Sequence, residues 1–215
     1  MSLWIKICGN TNLADAQLAA EAGADAVGFV FAPSPRRVTA EQVAAITPHL
    51  PAQIEKIGVF VDASFEQIAA AVRTARLTGV QLHSDAGLEV AAALRATFGP
   101  SLRILRVVHF GANAAEQAAA LTADINIDAI LIDSRTATAV GGTGIAFDWQ
   151  AAAQTLFRGG TKMVAAGGLK PENVAEAIAT LHPWGVDVSS GVEVVPGRKD
   201  PAKVRAFIAN ARAAR

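Results

Sequence analysis

The chain has 215 residues, 52% of them hydrophobic and only 18% charged, with 19 Lys and Arg against 19 Asp and Glu. That length and apolarity suit one sizeable core, and the balanced charge makes neither nucleic acid nor an anionic membrane an expected partner, so a phosphate ligand would need a local site. The longest apolar run, Ala26 to Pro33, is far below the roughly 18 residues of a membrane span, no signal-peptide pattern opens the chain, and the single cysteine, unable to form an internal disulfide, points to a reduced cytoplasmic setting.

Short β-rich runs alternate with Ala-rich helical stretches. Trp4 to Cys8 reads as a strand and Asn12 to Ala22 as a helix stopped by Gly23. A second strand, Ala26 to Phe31, precedes Thr39-Ala40-Glu41-Gln42, whose spacing is that of a capping box. A third, Ile57 to Val61, precedes the same signature in Ser64-Phe65-Glu66-Gln67. Strands at Val80 to His83 and Ile104 to Val108 are followed by helices at Leu88 to Phe98 and Ala114 to Leu121. The sixth strand, Ala129 to Asp133, leads through a Gly-rich loop to a helix near Asp148 to Leu156. The seventh is Lys162 to Ala166, with Pro171 fitting the first position of the next helix. The eighth is Val186 to Ser189, and a closing helix starts at Pro201.

Eight strands in strict alternation with eight helices predict a single (β/α)8 TIM barrel, one catalytic domain over residues 1–215. The first strand ends in Cys8-Gly9-Asn10-Thr11 without G-x-G-x-x-G, which disfavours a dinucleotide fold.

Barrel strands are covered on both faces, so polar residues on them are informative. By strand alternation Lys6 and Cys8 share one face, as do Gln81 with His83 and Asp187 with Ser189. These sets, with Asp133 ending the sixth strand, are expected to point inward, their last members at the C-terminal mouth where barrel active sites lie. Each also has a plain structural reading. A lone Cys is often core filler, Asp133 can cap a turn, and His83 can be a hydrogen-bonded core residue. Lys6 and Asp187 can simply pair, since the first and eighth strands adjoin in a closed barrel. Arg36-Arg37 is either a solvated loop or part of the mouth. Two Gly-rich turns, at Gly167-Gly168 and Ser190-Gly191, follow the seventh and eighth strands, where many barrels bind phosphate through main-chain N–H groups. Gly141-Gly142-Thr143-Gly144 reads as a hinged lid or a plain connection. Among His49, His83, His109 and His182 only His83 is placed at a strand end facing the mouth, so no metal site is expected.

Lys6-Ile7-Cys8-Gly9, Gly28-Phe29-Val30-Phe31, Gly58-Val59-Phe60-Val61, Val80-Gln81-Leu82-His83, Asp133 with Gly141-Gly142-Thr143-Gly144, Phe147-Asp148-Trp149, Ala166-Gly167-Gly168-Leu169 and Val186-Asp187-Val188-Ser189-Ser190-Gly191-Val192-Glu193 together resemble phosphoribosylanthranilate isomerase. The match runs in order along the whole chain. The resemblance implies an aldose–ketose isomerase of tryptophan biosynthesis: an Amadori rearrangement of a small phosphorylated substrate without a cofactor. It implies Cys8 as the base acting at C2 and Asp133 as the acid at the ring oxygen. It also implies an Arg on the anthranilate carboxylate, placed by alignment on Arg37 with Arg36 as substitute. His83 joins the substrate pocket, and Gly167, Gly168, Ser190 and Gly191 hold the phosphate. Two positions depart from the family: Asn10 stands where an aliphatic residue is common, and Ser84 where Gly is usual. A phosphate-binding lyase would need a Lys and Glu set at the mouth, and a pentose-phosphate epimerase metal-binding His and Asp residues; neither is evident. A non-catalytic sugar-phosphate sensor would keep the phosphate turns and lose the acid–base pair. A monomer and a homodimer are both compatible with the sequence.

Overall fold

Eight parallel strands close on themselves in chain order, the first pairing with the last, in a computed structural model that describes residues 2–83, 88–134, 148–157 and 160–214. In order they are β1 (Trp4–Ile7), α1 (Leu13–Glu21), β2 (Ala26–Val30), α2 (Ala40–Ala44), β3 (Glu55–Phe60), α3 (Phe65–Thr74), β4 (Gly79–Leu82) and α4 (Leu88–Phe98). There follow β5 (Arg103–His109), α5 (Ala114–Thr122), β6 (Ala129–Asp133), α6 (Trp149–Thr155), β7 (Met163–Ala165), α7 (Val174–Leu181), β8 (Gly185–Val188) and, after a two-stranded excursion, α8 (Pro201–Ala213). The excursion pairs β9 (Glu193–Val195) with β10 (Arg198–Lys199). The fold class read from the alternation is therefore the observed one. Among the described residues no helix is long and apolar enough to cross a membrane.

Local signals set the helix starts. Thr39 and Ser64 both complete capping boxes, with Gln42 and Gln67 returning the bond. Asp200 accepts from Ala202 and Lys203 N–H, and Pro201 takes the first helical position. The other expected proline start is corrected: α7 begins at Val174, not Pro171. The three residues before it are spent on a turn in which Asn173 Oδ1 accepts from Lys170 N–H and its Nδ2 donates to Gly168 O.

Alternation divides the strands into two packed surfaces. Ile5, Ile7, Val27, Phe29, Val80, Leu82, Ile104, Ile130, Ile132, Val186 and Val188 face the helices, all 3% exposed or less. Burial of each such side chain contributes about 1.5–3 kcal/mol. The opposite faces fill the barrel with Trp4, Ala26, Ile57, Leu105, Val107, Ala129, Leu131 and Val164. Continuing that inner register upward places Lys6, Cys8, Gly28, Gln81, His83, His109, Asp133, Asp187 and Ser189 toward the mouth.

The opposite rim is tied by a repeated device. Asp25 Oδ2, just before β2, accepts from Ile5 N–H in β1 at 2.7 Å. Thr78 Oγ1, just before β4, accepts from Lys56 N–H in β3 at 2.8 Å. Asp128 Oδ2, just before β6, accepts from Ile104 N–H in β5 at 2.7 Å. Arg212 and Arg95 pair with Asp25 and Asp128, anchoring α8 and α4 to the same rim.

Candidate active site

Cys8 follows the last residue of β1, with its N–H donating to Val188 O of β8 at 2.8 Å. It is a free thiol, 6% exposed. The neighbouring β2 carries Gly28, and a β-carbon there would lie 2.7 Å from Cys8 Sγ and 2.9 Å from Lys6 Cε. The missing side chain is what lets both groups occupy the barrel at this level. Asn10 lies wholly buried and donates through Nδ2 to Ile7 O and Gly28 O. The amide thus ties the ends of β1 and β2, a task an aliphatic residue at this position cannot perform. Ser84 and the segment Gly141-Gly142-Thr143-Gly144 lie outside the described residues.

Lys6 is fully buried, and its ammonium reaches both Asp187 Oδ1 at 2.9 Å and Gln81 Oε1 at 2.8 Å. Its stem therefore links three strands through the barrel interior. Burial pushes the ammonium down, but Asp187 and then Cys8 push it up, and the net direction is upward. The ion pair expected between the first and eighth strands is present, with Gln81 as an additional acceptor.

A second charged network covers Cys8 from outside. Arg36 Nε and Nη2 grip Glu193 in a forked pair with contacts of 2.6–3.1 Å. Glu193 Oε1 also accepts from Lys199 Nζ at 3.0 Å. The same ammonium donates to Cys8 O and, at 3.3 Å, to Ser189 O. Burial pushes Lys199 down more than Glu193 restores it. Burial likewise pushes the Glu193 carboxyl up, but Arg36 and Lys199 outweigh it and hold it below the usual carboxylate range. Lys199 was not singled out from the sequence. The signal lay in the β9–β10 hairpin, whose Pro-Gly turn folds Lys199 back beside Glu193.

The loop after β2 separates its two arginines. The Arg36 side chain lies across the mouth: a β-carbon on Gly9 would be 2.6 Å from Arg36 Cδ and 2.8 Å from Ser189 Oγ. Arg37, next to it in the same loop, is exposed.

Asp133 ends β6 and is 3% exposed. It is in register with His109 of β5, whose ring lies 5.7 Å from that of His83. A β-carbon on Gly167 would come within 2.6 Å of Asp133 Oδ1, so the carboxylate rests against the turn after β7. Gly167 and Gly168 have φ of +79° and +67°, consecutive left-handed positions that favour glycine. Gly191, in the turn after β8, abuts the main chain of Leu169. The two glycine turns thus form one continuous surface of main chain. Cys8, Arg36, His83, Asp133, Gly167, Gly168, Ser190 and Gly191 all gather around one mouth, and Arg37 is exposed in the loop after β2. Among the described residues no group of three or more His, Cys, Asp or Glu side chains is arranged to hold a metal ion.

Comparison with known proteins gives a consistent result. The profile of the N-(5'-phosphoribosyl)anthranilate (PRA) isomerase family matches residues 5–210. The N-(5'-phosphoribosyl)anthranilate isomerase of Citrifermentans bemidjiense is 44% identical over 97% of this chain and 96% of its own. The crystal structure of phosphoribosyl anthranilate isomerase from Thermotoga maritima superposes with a TM-score of 0.87 at 37% identity, covering 98% of this chain and 99% of that one. A crystal structure of phosphoribosyl anthranilate isomerase with reduced 1-(o-carboxyphenylamino)-1-deoxyribulose 5-phosphate has a TM-score of 0.83 at 34% identity, covering 98% of this chain and 99% of that one.

Proposed function

The chain belongs to the N-(5'-phosphoribosyl)anthranilate isomerase family, and from that membership we propose how its own residues carry out the reaction. The protein isomerises phosphoribosylanthranilate, an aldose-to-ketose conversion in tryptophan biosynthesis. In the mechanism we favour, Asp133 gives its proton to the ring oxygen as the substrate nitrogen pushes out the C1–O bond. The furanose opens to an iminium ion, which acidifies the hydrogen on C2. Cys8, as thiolate, removes that proton, and the C–H electrons form the enolamine, which tautomerises to the ketone. Asp133 loses one proton and Cys8 gains one, and in the last step C1 takes up a proton as the C2 hydroxyl gives one up. Substrate and product are therefore isomers, and the steps need no external oxidant or reductant. A free thiol used as a base also suits a reducing compartment such as the cytoplasm.

The observation that carries this reading is the pairing of two buried groups at the ends of β1 and β6: a thiol set among cations and a carboxyl resting against the glycine turn after β7. General acid and base groups must sit within hydrogen-bond reach of the atoms they serve, and opposite strand ends can flank one sugar. The phosphate is assigned to main-chain N–H groups of Gly167, Gly168, Ser190 and Gly191, a surface with no side chain in the way. Of the two arginines in the loop after β2, we favour Arg36 for the anthranilate carboxylate, since its side chain lies over Gly9 and Ser189, with Arg37 as the alternative that the family alignment gives. Glu193 occupies one edge of its guanidinium, and the other edge can take a carboxylate through two parallel bonds. His83, whose ring lies 5.7 Å from that of His109, is assigned to the substrate wall. A fluorescence assay of phosphoribosylanthranilate consumption by the purified protein tests the reading; absence of turnover at micromolar enzyme would reject it.

A further inference from the structure

We infer that Lys6 is a positioning residue that holds Cys8 as the reactive thiolate, with Asp187 and Gln81 fixing its ammonium beneath the sulfur. The inference rests on the reading of Cys8 as the base. Lys6 and Cys8 stand two residues apart on one face of the barrel, and both side chains press into the space over Gly28. Lys6 has no solvent access, and two of the three directions of its ammonium are fixed by Asp187 Oδ1 and Gln81 Oε1. The ammonium and the thiol share a niche that the bare α-carbon of Gly28 leaves open. Asp187 and Cys8 together keep the ammonium charged against the effect of burial, in that order. A fixed positive charge next to sulfur favours the ionised form of a thiol.

The other charged groups around Cys8 divide into two sets. Arg36 and Lys199 lie outside it and share Glu193, which offsets part of their charge. Asp133, His83 and His109 line the far side of the mouth on β4 to β6. Lys6 is the cation that shares the inner niche of the sulfur, and its counter-charge, Asp187, is held on β8. The two members of this pair therefore act on the thiol with opposite sign. Removing the ammonium disfavours the thiolate, whereas removing the carboxylate favours it. A merely structural pair would give the same sign for both, since either change breaks the same contact.

Cys8 is the only cysteine, so alkylation by iodoacetamide reports on it alone. The alkylation rate as a function of pH gives the thiol midpoint directly. Lys6→Met is expected to move it up by about one unit, a tenfold slower reaction well below the midpoint, and Asp187→Asn to move it down. The double variant Lys6→Met with Asp187→Asn keeps the barrel interior neutral if a single change prevents folding; its midpoint is expected to be above wild type. Shifts of the same sign in both single variants, no shift, or an unchanged midpoint in the double variant would overturn the inference. The acid limb of kcat/KM separates this from the reading beneath it. If the alkylation midpoint moves and the limb stays, Lys6 still tunes the thiol but Cys8 is not the base.

Discussion

A β-carbon on Gly28 would stand 2.7 Å from Cys8 Sγ, so the bare α-carbon of β2 is the floor on which the thiol rests. Gly28→Ala should displace Cys8, and Lys6 with it, since the same carbon would lie 2.9 Å from Lys6 Cε. Overpacking of this kind costs about 1–3 kcal/mol. We expect a lower melting temperature and a loss of turnover larger than the stability change explains. Wild-type kcat in the folded variant would show that the thiol tolerates a new position.

Cys8→Ala and Asp133→Asn each remove one proton-transfer group from a different half of the reaction. Each should reduce kcat by at least about 10²–10⁴-fold. Substrate binding, measured with a product analogue, should change little, because neither group is assigned to the phosphate or the carboxylate. Near-normal turnover in either variant would reassign that proton.

The two neighbouring arginines make opposite predictions. Arg36→Ala should raise KM roughly 10–100-fold, the equivalent of about 1.5–3 kcal/mol for a hydrogen bond to a charged group. Arg37→Ala should change it less than threefold, about 0.6 kcal/mol. Arg36→Lys keeps a charge near Glu193 and separates loss of binding from loss of that pair. The reverse order of effects would return the carboxylate to Arg37.

Gly168→Ala puts a side chain at φ of +67° and narrows the surface assigned to phosphate. The strain costs about 1–2 kcal/mol. KM for the phosphorylated substrate should rise, while the alkylation rate of Cys8 stays as in wild type. A crystal structure with a product analogue should show phosphate on N–H groups of Gly168, Ser190 or Gly191, and phosphate elsewhere on the mouth would refute the assignment.

Glu193 predicts a pH dependence of stability. Its carboxyl is held below the usual range because Arg36 and Lys199 together outweigh the effect of burial. The unfolded chain takes up a proton near pH 4.3, whereas the folded protein does so only lower. The contribution is therefore complete above about pH 4.3 and is lost as pH falls through the folded value. Glu193→Gln leaves the buried Lys199 and the half-buried Arg36 without their carboxylate and should cost about 3–5 kcal/mol near neutrality. The gap in melting temperature between wild type and variant should narrow below about pH 4. A gap that widens on acidification would contradict this.

The barrel was legible because its strands announce themselves twice, by apolar runs and by polar residues at every second position near one end. Lys6 with Cys8, and Gln81 with His83, fall on the inner face by counting alone. What escaped was set by close approach rather than pattern. Arg36 packs over Gly9, a contact between a loop side chain and a strand end that no period in the sequence marks. Lys199 reaches Cys8 because the β9–β10 hairpin folds back, and the hairpin itself carried no strand pattern in the sequence. Pro171 looked like a helix start, but Asn173 uses the same residues to close the turn after β7.

The three rim bonds and the contacts of the mouth differ most in how far apart their partners lie along the chain. Ile5 with Asp25, Lys56 with Thr78 and Ile104 with Asp128 are separated by 20, 22 and 24 residues. Arg36 with Glu193, Lys6 with Asp187 and Cys8 with Lys199 are separated by 157, 181 and 191. The entropy lost on closing a loop rises with its length, and long-range contacts lag in folding. The rim bonds are therefore available to successive βαβ units as they collapse, while the environment of the thiol has to wait for the first and last strands to meet. A chain halted one strand short of that meeting would hold much of its secondary structure and none of its catalytic electrostatics.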